Sequence, residues 1–107
     1  MTQITPQRLQ QWLADGARKP PLLLDVREPW EQRTCQIAGS MLAPMNTIPA
    51  RVHELDRDAE TVVICHHGVR SLRAAAYLEH CGFTDVVNLS GGIDAWARTV
   101  DPAMALY

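Results

Sequence analysis

Thr61-Val-Val-Ile-Cys65-His-His-Gly-Val-Arg70-Ser71 is the stretch on which the fold turns. Its first five residues are apolar and rich in β-branched side chains, the composition of a short strand buried on both faces. The continuation Ser71-Leu-Arg-Ala-Ala-Ala-Tyr-Leu-Glu-His-Cys-Gly82 reads as a helix that Ser71 can cap, that the alanines favour and that Gly82 can end. Ala74, Leu78 and Cys81 share one stripe of it, the face that would pack on a sheet. Strand, loop and helix in that order make half of a βαβ unit, and the neighbouring segments repeat the pattern. Pro21-Leu-Leu-Leu-Asp-Val26 is a second continuous apolar run, and Val86-Val-Asn-Leu89 a third. Thr5-Pro6 opens a helix over Pro6 to Asp15, with Leu9, Trp12 and Leu13 at helical spacing and Gly16 available to close it. Gly91-Gly92 forms a tight turn before a last helix from Ile93 to about Val100. Between Ile37 and Leu55 the signals are weaker: a strand near Ser40 to Ala43 and a short helix over Ile48 to Leu55. The expected architecture is a single α/β domain over residues 1–107, three layers deep, with a small, mostly parallel sheet flanked by helices on both faces.

Composition excludes several function classes. The chain has 107 residues, 47% hydrophobic and 21% charged, which supports one core. Ten Lys+Arg against twelve Asp+Glu leave a formal charge of −2, so neither nucleic acid nor an anionic membrane surface is the expected partner. The longest apolar stretches fall far short of the ~20 residues of a transmembrane helix. Met1-Thr-Gln-Ile-Thr-Pro-Gln-Arg8 has no basic patch leading into an apolar run, so no secretory signal is expected and a reducing cytoplasm is the expected compartment. Three cysteines, Cys35, Cys65 and Cys81, leave at least one thiol unpaired.

Cys65 ends a strand just before a helix, where open α/β sheets place their ligands. If the next residues curl around its sulfur, their N–H groups and the positive end of the helix form an anion cradle that also favours the nucleophilic thiolate. Gly68 lets the loop turn sharply and Arg70 adds a fixed positive charge. A buried strand-end cysteine is also a common small hydrophobe. A core cysteine, however, needs neither a glycine-bearing loop nor an arginine five residues on.

Together, Asp25-Val-Arg-Glu-Pro-Trp-Glu31, Cys65-His-His-Gly-Val-Arg70-Ser71, Gly82-Phe83 and Asn88-Leu-Ser-Gly-Gly-Ile-Asp-Ala-Trp96 resemble the rhodanese-like single-domain sulfurtransferase family. The segment Cys35-Gln-Ile-Ala-Gly-Ser-Met-Leu-Ala-Pro44 departs from the family's His-Ile-Pro-Gly-Ala type sequence, so Gln36 is given no role. The tail Val100-Asp-Pro-Ala-Met-Ala-Leu-Tyr107 is similar to the ends of rhodanese modules fused to ubiquitin-like-protein activating enzymes. The resemblance implies a thiosulfate sulfurtransferase-like enzyme whose Cys65 carries a sulfane sulfur as a persulfide. His66, His67, Gly68, Val69, Arg70 and Ser71 would form the loop that binds donor and persulfide, and Arg70, with Arg73 one turn on, would attract the donor. It implies a small anionic donor such as thiosulfate, with a protein sulfur donor or acceptor as a further candidate partner, and it requires no metal or organic cofactor. The other class weighed is a docking or sulfur-carrier module that shares the fold but has little turnover of its own. Phosphatases of similar fold have one residue more between cysteine and arginine. The four here make a ring better suited to one sulfur atom than to a phosphoryl group.

Asp25 and Arg27, after a buried strand, are expected either to support the loop or to fix the following turn, with Glu31 structural as well. Cys81 is read as core, and a redox role for Cys35 stays open. One or both of His66 and His67 are expected to face outward toward donor or acceptor. A metal held by Cys65, His66 and His67 is disfavoured, because adjacent loop residues rarely converge on one ion. Trp12 and Trp96 are expected in the core, and Trp30 at the rim of the site.

Overall fold

The computed structural model describes residues 1–107. Five parallel strands, β1 (Thr2–Ile4), β2 (Leu22–Asp25), β3 (Met41–Leu42), β4 (Thr61–Ile64) and β5 (Val86–Leu89), form one sheet in the order β1-β5-β4-β2-β3. Five α-helices lie between and around them: α1 (Pro6–Ala14), α2 (Pro29–Thr34), α3 (Ile48–Arg51), α4 (Val69–His80) and α5 (Gly92–Thr99). This is the expected α/β architecture, and no helix is long and apolar enough to cross a membrane.

The central strand explains the layering. Along β4 and the residue after it, Val62 and Ile64 point to one face and Val63 and Cys65 to the other, the two-residue period of a pleated strand. Val62 and Ile64 join Leu9 and Trp12 of α1 and Ile93 and Trp96 of α5. Val63 and Cys65 join Ile48 of α3 and Ala74, Ala75 and Leu78 of α4. Each face of the sheet thus has its own core, and Cys65 starts out within the one covered by α4. Trp12 and Trp96 are core residues as expected.

Several boundaries differ from the sequence reading, each for a local reason. α1 is capped by the Thr5 hydroxyl accepting from the Arg8 N–H, but it ends at extended Asp15 rather than through a left-handed Gly16. The helix expected over Ile48 to Leu55 splits into α3 and a 3-10 turn, Val52–Glu54. α4 begins at Val69, two residues before Ser71. Its N-cap is Gly68, at φ +94°, and Ser71 lies inside the first turn with its hydroxyl spent elsewhere. Two elements escape the sequence reading. β1 is a three-residue edge strand, mostly exposed. α2 is a six-residue polar helix, held by Pro29 in its first turn and by a capping box in which the Glu28 N–H donates to Glu31 Oε1 at 3.1 Å.

Candidate active site

The loop after β4 is tightly specified. The N–H of Gly68 donates to Cys65 Sγ at 3.0 Å, so the chain curls back on the sulfur within three residues. The carbonyls of Cys65 and His66 point the other way, accepting from the N–H groups of Ile93 (2.8 Å) and Asp94 (3.0 Å) in the first turn of α5. With these carbonyls turned away, the Gly68 N–H is the loop donor that meets the sulfur. Two glycines permit this packing. Gly68 has a positive φ, and a Cβ there would lie 3.2 Å from the Gly91 nitrogen. Gly92, at φ +62°, has the Cys65 and His66 carbonyls where a Cβ would stand.

Asn88 of β5, 2% exposed, ties the loop to the sheet. Its Oδ1 accepts from the Ser71 hydroxyl, and its Nδ2 donates to the Gly68 carbonyl (3.2 Å) and to Gln3 Oε1 of β1 (2.9 Å). The fully buried Ser71 hydroxyl therefore has a partner, as burial of a polar group demands.

Asp25 and Arg27 do come together. Arg27 is fully buried and grips Asp25 as a fork, Nε to Oδ1 at 2.9 Å and Nη2 to Oδ2 at 2.7 Å. Its remaining donors reach the Glu31 carbonyl (3.2 Å), the Cys35 carbonyl (2.7 Å) and the Tyr107 hydroxyl (3.0 Å). With its N–H groups so engaged, Arg27 organises the turn after β2 and has no donor left for a ligand.

Arg70 is fastened to Glu31 by a second fork, with both N–O distances 2.7 Å. The Glu31 side chain is 4% exposed and that of Arg70 39%. Tyr107 donates its hydroxyl to Glu31 Oε2 at 2.6 Å. Arg70, despite the burial that opposes it, holds the Glu31 carboxyl down to about 2, with help from Tyr107 and the Glu28 N–H. Glu31 in turn keeps Arg70 firmly cationic, and Cys65 lies close enough to add to that. Burial, with Glu31 beside it, pushes the Tyr107 hydroxyl up to about 12 although Arg27 opposes the shift. Glu31, Asn88 and Tyr107 are thus site residues that were not singled out for the site from sequence. Asn88 stands inside a quoted motif, whereas nothing local marks Tyr107.

The two histidines part company. His67 is exposed, its Nδ1 4.0 Å from Asp94. His66 turns inward, its ring stacked on Tyr107 at 3.9 Å and 9°, and its Nε2 is buried without a hydrogen-bond partner. Burial, reinforced by His67, lowers its pKa below the usual histidine value. His66, His67 and Asp94 offer ligand-type atoms within 4.8 Å of one another. The two rings, however, lie 3.9 Å apart and only 30° from parallel, so their in-plane lone pairs run side by side instead of meeting about 2 Å away at one ion. Arg73 is exposed and lines a cleft with Met45, Ile48, Pro49 and Tyr77 on the α3 side, without a hydrogen bond to the loop. Cys81 packs against the core on the α4 face. Cys35 is half-buried, its Sγ 3.8 Å from Arg27 Nη1. Trp30 is 55% exposed and meets Tyr107 edge-on.

Comparison with known proteins agrees with this geometry. A sulfurtransferase from Allochromatium vinosum is 40% identical over 105 residues, covering 98% of this chain and 96% of that protein. The thiosulfate sulfurtransferase GlpE of Pseudomonas fluorescens is 38% identical over 96 residues, covering 90% and 84%. The probable adenylyltransferase/sulfurtransferase MoeZ of Mycobacterium tuberculosis is 40% identical over 106 residues, which are 97% of this chain but only 26% of that protein. Among solved structures, a rhodanese-like domain protein from Staphylococcus aureus superposes with a TM-score of 0.85 at 33% identity, over 100% of this chain and 99% of that one. The family model for the rhodanese-like domain matches residues 5–99, and the chain belongs to that family.

Proposed function

We propose that this chain is a sulfurtransferase that carries a sulfane sulfur on Cys65. The observation that carries the reading is the 3.0 Å contact from the Gly68 N–H to Cys65 Sγ at the head of α4, which supplies a fixed donor to a charged sulfur. All three of these relatives carry sulfurtransferase in their names, which supports the reaction class, and the name of GlpE supports thiosulfate as donor. The thiolate of Cys65 attacks the outer sulfur of thiosulfate, the S–S bond breaks, and sulfite leaves with the electron pair. The product is a Cys65 persulfide whose terminal sulfur carries the negative charge near the loop N–H groups and Arg70. A nucleophilic acceptor (cyanide, a thiol or a protein) then attacks that terminal sulfur, and the Cys65 thiolate departs. Two half-reactions on one nucleophile imply ping-pong kinetics. The name of MoeZ, which joins adenylyltransferase to sulfurtransferase, supports a protein sulfur partner alongside small molecules.

Intact-mass measurement before and after thiosulfate tests this directly. The chain should gain the mass of one sulfur atom on Cys65, and Cys65→Ser should gain none. An unmodified Cys65 after thiosulfate, cysteine persulfide and inorganic polysulfide alike would leave the fold serving as a docking module instead.

A further inference from the structure

We propose that Tyr107 is a positioning residue of the sulfur loop, which fixes Glu31 and through it the Arg70 guanidinium that meets an anionic sulfur donor. The inference rests on the reading that Arg70 attracts the donor to Cys65.

Asp25, Arg27, Tyr107, Glu31 and Arg70 form one continuous hydrogen-bonded row. Arg27, anchored on Asp25, donates to the Tyr107 hydroxyl at 3.0 Å, and that hydroxyl donates onward to Glu31 Oε2 at 2.6 Å. Since Arg27 can only donate, the direction of the Tyr107 proton is set: it must point at Glu31. A carboxylate has about four acceptor positions, and Glu31 fills them with Arg70 Nη1, Arg70 Nη2, the Glu28 N–H and Tyr107. Arg70 has a long, partly exposed side chain and no other hydrogen bond to its guanidinium. Its position is therefore only as well defined as that of Glu31. The phenol ring is oriented in turn by the loop, since it stacks on His66, the residue next to Cys65. Residue 107 is thus bound to the loop at two points, its ring on the residue after the nucleophile and its hydroxyl one step from the arginine.

A tail that merely braced the fold would affect every reaction of Cys65 alike, whereas one that aims Arg70 affects charged reagents selectively. Iodoacetate and iodoacetamide alkylate thiols by the same displacement but differ by one negative charge. Their rates at Cys65, read from the mass of the Cys65 peptide, isolate the guanidinium's contribution. Tyr107→Phe keeps the ring and removes the hydroxyl. It should lower the iodoacetate-to-iodoacetamide rate ratio several-fold, leave the iodoacetamide rate near that of the wild type, and raise KM for thiosulfate more than it lowers kcat. Glu31→Asp, which keeps the charge but draws it back by one methylene, should lower the ratio as well. High salt should shrink the difference, because the selectivity is Coulombic. An unchanged ratio in both variants, or an equal slowing of both reagents, overturns the proposal. If Arg70→Met itself leaves the ratio unchanged, the role of Arg70 falls and this inference with it. If Arg70→Met lowers the ratio and Tyr107→Phe does not, only the inference about Tyr107 falls.

Discussion

Replacing Arg70 by Met strips Glu31 of its strongest partner while leaving the carboxylate 4% exposed. The size of the effect follows from the site. The Glu31 carboxyl is held at about 2 against an ordinary value of 4.5, chiefly by Arg70. At about 1.4 kcal/mol per pH unit, that depression corresponds to roughly 3 kcal/mol of stability. Because Arg70 is 39% exposed, solvent screening keeps the loss at or below that figure, under the ~3–5 kcal/mol of a fully buried pair. The folded-state value is the lower one, so this stability is complete above pH 4.5 and drains away as pH falls from there toward 2. Tyr107 and the Glu28 N–H keep their share, so Arg70→Met should lose the larger part of it at neutral pH, lowering the thermal midpoint by roughly 5–15 °C for a chain of this length. As the solution is acidified, the wild type should fall toward the variant, and the two curves should converge. Urea melts of both proteins from neutral pH down to about 3 measure the gap. A gap that stays constant across that range would mean that Arg70 is not what keeps Glu31 ionised, and the account of the fork would be wrong.

Gly92→Ala places a methyl group against the Cys65 and His66 carbonyls at a positive φ. Left-handed strain and two weakened hydrogen bonds to α5 should together cost about 3 kcal/mol, and thiosulfate loading of Cys65 should fall with the thermal midpoint. Asn88→Ala removes the acceptor of the buried Ser71 hydroxyl and a donor to the Gly68 carbonyl. A loss of about 2 kcal/mol is expected, with faster amide exchange at Gly68 than at β2 as the local signature. Arg27→Lys substitutes a point charge for a fork that serves Asp25, Cys35, Glu31 and Tyr107. It should cost at least about 3 kcal/mol by calorimetry. A midpoint within a degree of the wild type would contradict the central place of that guanidinium.

What could be read from the sequence was what local chemistry encodes. Thr61 to Cys65 shows a buried strand in its own composition, and the glycine and arginine that follow mark an anion-binding turn without any knowledge of the rest of the chain. β1 leaves no such trace, because a three-residue edge strand with two exposed side chains takes its conformation from pairing with β5 rather than from its own pattern. Ser71, a good cap by type, draws the expected start of α4 too late, because Gly68 takes the left-handed conformation that the curl around Cys65 imposes. Ser71 then satisfies its hydroxyl on a strand 17 residues further on. Glu31 illustrates the same limit. Its sequence neighbourhood marks it only as structural, whereas the fork that gives it a place in the site spans 39 residues and its bond to Tyr107 spans 76. Pairings at such separations depend on the strand order, in which β4 lies between β2 and β5, and no short window of sequence contains them.

The charges around the loop bear on how a domain of net charge −2 could serve the anionic donor proposed above. Arg27 is offset by Asp25, and Arg70 by Glu31, so the two nearby cations bring no net positive charge with them. The pull on a negative sulfur therefore rests on direction rather than on sum. The Gly68 N–H is aimed at Sγ, α4 presents its positive end to the same loop, and Glu31 is buried while its partner Arg70 is partly exposed. An arrangement of this kind stabilises a charge confined to one atom more than a charge spread over a tetrahedral group, because its favourable region is only as wide as the three-residue curl. The short spacing from Cys65 to Arg70 and the neutral surroundings both fit the cargo proposed above, a single sulfur atom held close to the backbone. If the proposed carrier role holds, widening the curl by one residue should shorten the lifetime of the Cys65 persulfide, read by intact mass over time after thiosulfate, even with Cys65, Gly68 and Arg70 all retained.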